Sequence, residues 1–426
     1  MRLIMKKAAI AFLLFFFIIQ ISNSQWEKIT VYGTGNGGGT YGFASIGSNL
    51  FVTSYISSTG GGVYKSVNSG INWSIVNNGL TNIKIRCLES SGSYLYAGAD
   101  YMNSSNNGGV FVSVNNGNSW TESNTGLTPS DKSIISLKAT GNIVFASCLA
   151  YRVYQSNDNG GTWTNFNQGL PTYNVGNSFT IFNNNVFMCE GSTLSGRIYR
   201  RSVNGGANWV SLNTNGAGSD NEVRQIYTVN NTLFAATNSG VYKSLDNGQS
   251  WNVILPNVLA RAITGYGNNL ICCLFSGGFR YSSDLGVTWT TLNEGLTSDP
   301  VFVSLYVHNG YVFAGTPRAE IYRRAIGTIG ITNIGTTIPE KFVLHQNYPN
   351  PFNPSTNIEF SLPKSGNVKL TIFDALGKEV AVIVNDNLKA GIYKADWHAS
   401  AFPSGIYFYK LVAKDFVQTK KMILIK

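Results

Sequence analysis

One eight-residue pattern, Ser-x-(Asp or Asn)-x-Gly-x-x-Trp, occurs six times, at residues 66–73, 113–120, 156–163, 202–209, 244–251 and 282–289. Successive serines stand 47, 43, 46, 42 and 38 residues apart, about the length of one small four-stranded sheet with its turns. Self-similarity at that period predicts a radial array of such sheets, since one unit alone cannot bury its apolar faces.

Each residue type in the pattern has a physical role. The third-position side chains (Asn68, Asn115, Asp158, Asn204, Asp246 and Asp284) can accept hydrogen bonds from backbone N–H groups just ahead and close a tight turn. The glycine, such as Gly70, supplies a positive φ. The tryptophans (Trp73, Trp120, Trp163, Trp209, Trp251 and Trp289) then open the next strand and bury their rings between neighbouring sheets. An apolar strand end precedes each box, as in Val63-Tyr64-Lys65, and another lies about twenty residues upstream in the period, as in Leu95-Tyr96-Ala97. The box is therefore expected as the hairpin between the third and outermost strands.

These six boxes resemble the Asp-box, or bacterial-neuraminidase repeat, over most of the first 325 residues. The resemblance implies a β-propeller whose boxes lie on the face opposite the ligand site and are structural. Asn at three of the six acidic positions agrees, because an amide makes the turn but does no acid–base work.

The expected fold is all-β: a seven-bladed β-propeller with N-terminal strand closure, followed by a small immunoglobulin-like β-sandwich. Six boxes account for six blades. A seventh begins near Val301 and runs to Ile321-Tyr322-Arg323-Arg324, which aligns with Val63-Tyr64-Lys65-Ser66, but it carries no box. Of the eight tryptophans, Trp26 is the candidate for the missing outer strand.

The expected domains are 1–24, a signal peptide; 25–325, the propeller; 326–340, a linker; and 341–426, a C-terminal sorting domain. Lys6 and Lys7 precede an apolar run, and Ser22-Asn23-Ser24 offers small residues for cleavage between Ser24 and Gln25. The run is short for a stable membrane span, so no span is expected in the mature protein. Beyond residue 340 the repeats cease. Tyr348-Pro349-Asn350-Pro351-Phe352-Asn353-Pro354, Phe373-Asp374-Ala375-Leu376-Gly377, Ser404-Gly405-Ile406-Tyr407 and the terminal Lys420-Lys421-Met422-Ile423-Leu424 are similar to the type A sorting domain of the type IX secretion system. That resemblance implies a Gram-negative bacterium of the Bacteroidota type and a partner in the secretion machinery. It also implies a protein secreted or attached at the outer surface.

Charge divides the same way. The formal net charge is +10, yet 341–426 holds eleven lysines against six acids, and Arg2, Lys6 and Lys7 fall in the first 24 residues, which leaves +2 for 25–340. A nucleic-acid partner, which needs a basic stripe on the working domain, is not expected. The five cysteines sit mostly in apolar strand contexts, so buried free thiols are expected, with one disulfide as the alternative in an exported protein. With three histidines in the chain and no Cys/His cluster at zinc spacing, no metal and no cofactor are expected.

Propellers hold ligands at the channel mouth, where the innermost strands begin. Aligning blades on the Leu-Tyr-Ala strand places Arg86, Arg224 and Arg261 at one equivalent position, each nine residues before Leu95, Leu233 and Leu270; Tyr41, Ile135, Asn177 and Val303 fill it in the other blades. Three guanidinium groups around one channel suit a carboxylate or sulfate. A sialidase triad is not expected: the ring counts to seven blades, the Arg-Ile-Pro signature is absent, and no Tyr–Glu nucleophile pair can be assigned. The expected function is a non-catalytic binding module for a glycan or protein ligand. The alternative is a carbohydrate-active enzyme, a glycoside hydrolase or lyase, using two of the loop acids Asp100, Asp131, Glu190, Asp220, Glu222, Glu294 and Asp299. Tyr55, Tyr101, Tyr151 and Tyr173 are candidates for sugar stacking. The strings at 77–81, 124–128, 167–171 and 293–297, each Asn-x-Gly-Leu-(Thr or Pro), are expected as turns.

Overall fold

The computed structural model describes residues 25–29, 39–55, 61–100, 108–172, 176–190, 197–202, 208–212, 222–296, 300–318, 320–326, 331–335, 338–399 and 402–425. The signal-peptide expectation, with Ser24, and the box residue Asn204 lie outside them. Four-stranded antiparallel sheets dominate the described residues.

The first sheet sets the pattern: Phe43–Ile46, Asn49–Ser54, Gly62–Ser66 and Ser74–Ile75, from the centre outward. Five more repeat it, with innermost strands Ile85–Ser91, Ile134–Thr140, Gly176–Phe182, Val223–Val229 and Ala260–Tyr266. A seventh joins Ser304–His308, Tyr311–Gly315 and Ile321–Ala325 to Glu27–Ile29, which pairs antiparallel through Glu27↔Arg323, Lys28↔Tyr322 and Ile29↔Ile321. Second strands such as Tyr94–Ala99 are buried after their first residue, and outer strands such as Thr121–Glu122 are exposed. Second strands are covered on both faces by neighbouring sheets, so they read as continuous apolar runs; innermost strands show only part of their length to the channel.

The boxes form the hairpins between third and outer strands. In five of them the serine hydroxyl donates to the Asn or Asp Oδ1 at 2.6–3.0 Å and accepts from the glycine N–H at 2.8–2.9 Å. The same Oδ1 accepts from the N–H four residues on, at 2.9 Å in each case. Two successive residues take positive φ, as at Asn247 (59°) and Gly248 (80°). Asn68 and Asn115 make the same backbone bonds as Asp158, Asp246 and Asp284, so the turn needs an acceptor and no charge.

Asp246 is nevertheless ionised strongly. Hydrogen bonds from the Ser250 hydroxyl and N–H hold its carboxyl at about 2. Because the folded value lies below the ordinary ~3.9, this stabilisation is complete above pH ~4 and is lost as pH falls through about 2. Asp246→Asn is expected to melt like the parent at pH 7 and to show a smaller drop in melting temperature between pH 4 and pH 2. A parallel acid response in parent and variant would refute this account.

The recurrent Asn-x-Gly-Leu strings do more than turn the chain. Asn77 accepts from Val63 N–H at 2.8 Å, and Asn124, Asn167 and Asn293 do the same for Val110, Val153 and Phe279, tying each string to its own third strand. The next residue's carbonyl (Asn78, Thr125, Gln168, Glu294) accepts the backbone N–H of the following sheet's tryptophan: Trp120, Trp163, Trp209 and Trp26, at 2.7–2.9 Å. The carbonyl just before each Asn accepts the same tryptophan's Nε1–H, also at 2.6–2.8 Å. Trp26 thus makes the contacts of a box tryptophan. Where no string precedes, Trp73, Trp251 and Trp289 donate Nε1–H to the glycine carbonyl of their own boxes.

The seventh sheet, lacking a box, has Arg324 where the others have the box serine. Arg324, 3% exposed, donates to Glu294 Oε2 at 2.8 Å. Beside it Arg323 pairs with Glu27 at 2.9 Å and Lys28 with Glu320 at 2.6 Å.

The C-terminal residues form two further four-stranded sheets around one apolar core. One contains Gly391–His398 and Ser355–Leu362; the other contains Gly366–Asp374, Gly405–Ala413 and Phe416–Leu424. Ile331–Gly335, within the stretch expected as a linker, pairs with Gly391–His398 as an edge strand. The Tyr-Pro-Asn-Pro-Phe segment caps the end of the last strand: Phe352 N–H donates to Ile423 O, and Ile425 N–H to Phe352 O, both at 3.0 Å.

Candidate functional site

The seven innermost strands surround a cavity of about 660 Å³ lined by residues from every sheet. The aligned position Tyr41, Arg86, Ile135, Asn177, Arg224, Arg261 and Val303 lines it. In five strands the register breaks at that residue: between Ile85 and Cys87, Ile134 and Ser136, Gly176 and Ser178, Val223 and Gln225, and Ala260 and Ala262. Arg86, Ile135, Asn177, Arg224 and Arg261 are therefore bulge residues. A bulge re-aims its side chain out of the pleat.

Each arginine meets the residue 14 positions ahead on the adjacent strand, and the three partners differ. Arg86 Nη1 lies 3.4 Å from Asp100 Oδ2, which also accepts from Tyr55 OH at 3.0 Å. Arg224 Nε donates to Asn238 Oδ1 and its Nη2 to Glu222 Oε2, both at 2.9 Å. Arg261 stacks its guanidinium over the Phe275 ring at 4.5 Å, and its buried Nε has no hydrogen-bond partner. Burial and the nearby positive charge of Arg224 push Arg261 below the ordinary arginine range.

The other loop acids are engaged locally. Asp131 is fully buried and accepts from Tyr154 OH at 2.5 Å and Arg152 Nη1 at 2.7 Å. Burial opposes its charge, but hydrogen bonds from Thr128, Tyr154 and Arg152 outweigh it and hold its carboxyl low. Glu190 accepts from Tyr199 OH at 3.2 Å, and burial raises its carboxyl. Glu294 belongs to the junction with Arg324 and not to the cavity lining. Asp220, Asp299, Tyr101 and Tyr173 lie outside the described residues. Tyr151 has a positive φ of 63° and is 43% exposed.

Deeper in the cavity is a layer that the sequence reading missed. Glu89 and Lys138 line it with Tyr227 and Tyr306, and Lys138 Nζ lies 3.0 Å from Glu89 Oε1. The Glu89 charge holds Lys138 above the ordinary lysine range despite its burial. All four stand three residues beyond the aligned position (86, 135, 224 and 303), so extending that alignment by one inward-facing step would have found them.

The five cysteines are free, four of them buried, and burial pushes the Cys189 thiol up to about 12. Among the described residues no cluster of His, Cys, Asp and Glu suits a metal ion, and no helix is long and apolar enough to cross a membrane.

Residues 346–426 match a family described as the secretion system C-terminal sorting domain, and residues 167–302 match one described as the DUF6242 beta propeller domain. Among solved structures, the chain is similar to PorZ, an essential surface component of the type IX secretion system of Porphyromonas gingivalis (15% identity, TM-score 0.53, covering 91% of this chain and 59% of that one). It is also similar to the extracellular domain of the one-component system BT4673 from B. thetaiotaomicron (13% identity, TM-score 0.57, 95% and 60%). A third is YCF48 bound to D1 peptide (15% identity, TM-score 0.55, 70% and 96%). The chain spans about 60% of the length of PorZ and of the BT4673 domain. No curated protein matches the chain in sequence. At these identities the structures establish the β-propeller fold. The sorting tail identifies a type IX secretion substrate that engages that machinery and is secreted or held on the outer surface of a Gram-negative bacterium.

Proposed function

We propose that this protein is an exported, non-catalytic recognition module. It is a seven-bladed Asp-box propeller closed by its N-terminal strand, carrying an immunoglobulin-like sorting domain. It binds a glycan or protein ligand at the mouth of the central channel. The observation that carries the reading is the placement of Arg86, Arg224 and Arg261 on β-bulges facing one cavity. Five of the seven loop acids considered for catalysis support it from the other side, since Asp100, Asp131, Glu190, Glu222 and Glu294 are each bonded to a neighbouring side chain. A glycoside hydrolase needs two carboxyl groups flanking the scissile bond, one protonated as general acid and one ionised as base or nucleophile.

The test is a binding and turnover screen of the exported chain against sulfated, sialylated and plant polysaccharides and against immobilised peptides. Binding without turnover is expected, with the triple Arg86→Ala, Arg224→Ala, Arg261→Ala variant weakening the ligand at least tenfold. Turnover abolished by substituting one carboxylate would replace this reading with the enzymatic one.

A further inference from the structure

The three arginines are not equivalent, and their difference specifies a ligand. Arg86 and Arg224 each face an internal carboxylate, Asp100 and Glu222. Arg261 forms no direct ion pair with a carboxylate among the described residues, although the charges of Arg224 and Glu222 both reach it, and its Nε is buried without a partner. Counting these five groups, the mouth carries one uncompensated positive charge. Its surroundings are apolar: Phe275, under the guanidinium, is 44% exposed, and Leu259, whose carbonyl accepts the Phe275 N–H at 2.8 Å, is 46% exposed. Tyr41, from the opposite end of the repeat series, lines the same cavity and is 43% exposed.

We propose that Arg261 and Phe275 receive the free carboxy terminus of an extended peptide ending in an apolar residue. The proposal rests on the recognition-module reading and narrows it. A terminal carboxylate brings one negative charge and matches the one open guanidinium in fork geometry. The ring beneath fixes the guanidinium plane, and the peptide's last side chain lies against Phe275 and Leu259. A polyuronate or sulfated glycan is the weaker candidate. Its repeated negative charges would find one open guanidinium, because Arg86 and Arg224 are already paired with Asp100 and Glu222.

The decisive experiment probes the full exported chain with an array of hexapeptides carrying every combination of the last two residues. Each peptide is displayed once with a free carboxylate and once as the carboxamide. Binders are then measured in solution by fluorescence anisotropy, with oligogalacturonate run in parallel. Peptides ending in Leu, Ile, Val or Phe should bind as acids and at least tenfold more weakly as amides. Arg261→Ala should cost at least tenfold, Phe275→Ala several-fold, and Arg261→Lys should fall between parent and Arg261→Ala. Melting temperatures of the variants report that they fold. Acid and amide binding alike, or acid-dependent binding that survives Arg261→Ala, overturns the proposal. Oligogalacturonate binding more tightly than every peptide also overturns it while leaving the recognition module standing. Failure of every probe to bind overturns both.

Discussion

Deletion of residues 25–31 is expected to lower the melting temperature of the exported chain by roughly 10 °C. Trp26 is 1% exposed, stacks on Phe279 at 4.1 Å and donates Nε1–H to Leu292 O at 2.7 Å. Truncating a buried tryptophan costs about 3–5 kcal/mol, and in a ring of this size each kcal/mol moves the midpoint by roughly 2 °C. The deletion also removes a three-residue ladder and leaves Arg323 without Glu27. The solvated Lys28–Glu320 pair adds little, and Arg323, buried beside Glu27, keeps its bond to Ser69 O, so Trp26→Ala alone should reproduce more than half of the fall. A deletion variant that melts with the parent would mean that the seventh sheet does not depend on this strand.

Gly126→Ala should be nearly as damaging, although it adds one methyl group on a surface string. Gly126 has φ of 97°, and a Cβ there would fall on the carbonyl oxygen of Trp163 in the next sheet. The left-handed conformation costs about 1–2 kcal/mol for a non-glycine residue, and forcing the string off its neighbour adds about 1–3 kcal/mol. The midpoint should drop by roughly 4–10 °C. Gly141→Ala is the matched control: φ is 56° with nothing near the added Cβ, so it pays the conformational cost alone. Equal melting temperatures for the two variants would show that the string does not clasp the seam.

Periodic features were legible in the sequence, and features between repeats were not. The boxes gave the hairpins because Ser, Asx and Gly satisfy one another within eight residues. Trp26 could be placed because one tryptophan opens each outer strand. Aligning blades also brought Arg86, Arg224 and Arg261 to one level. The sequence did not reveal that this level is a bulge, since a bulge depends on pairing with the neighbouring strand. It did not separate Arg261 from the other two, because Asp100, Asn238 and Phe275 become their partners only across that pairing. The Asn-x-Gly-Leu strings looked like plain turns for the same reason: their second partner, a tryptophan backbone, lies some 40 residues on in three of them and at the N-terminal Trp26 in the fourth.

Those strings are unevenly distributed around the ring. Among the described residues, four junctions are clasped at the rim by a string and a tryptophan, and the tryptophans entering the other three, Trp73, Trp251 and Trp289, bond to the glycine carbonyls of their own boxes. Two of the unclasped junctions are consecutive, flanking the sheet that begins at Val223. Trp289 is also less buried than the other box tryptophans. In that sector the neighbouring sheets are held together through their inner strands. That sector carries Arg224 on one sheet and Arg261 on the next.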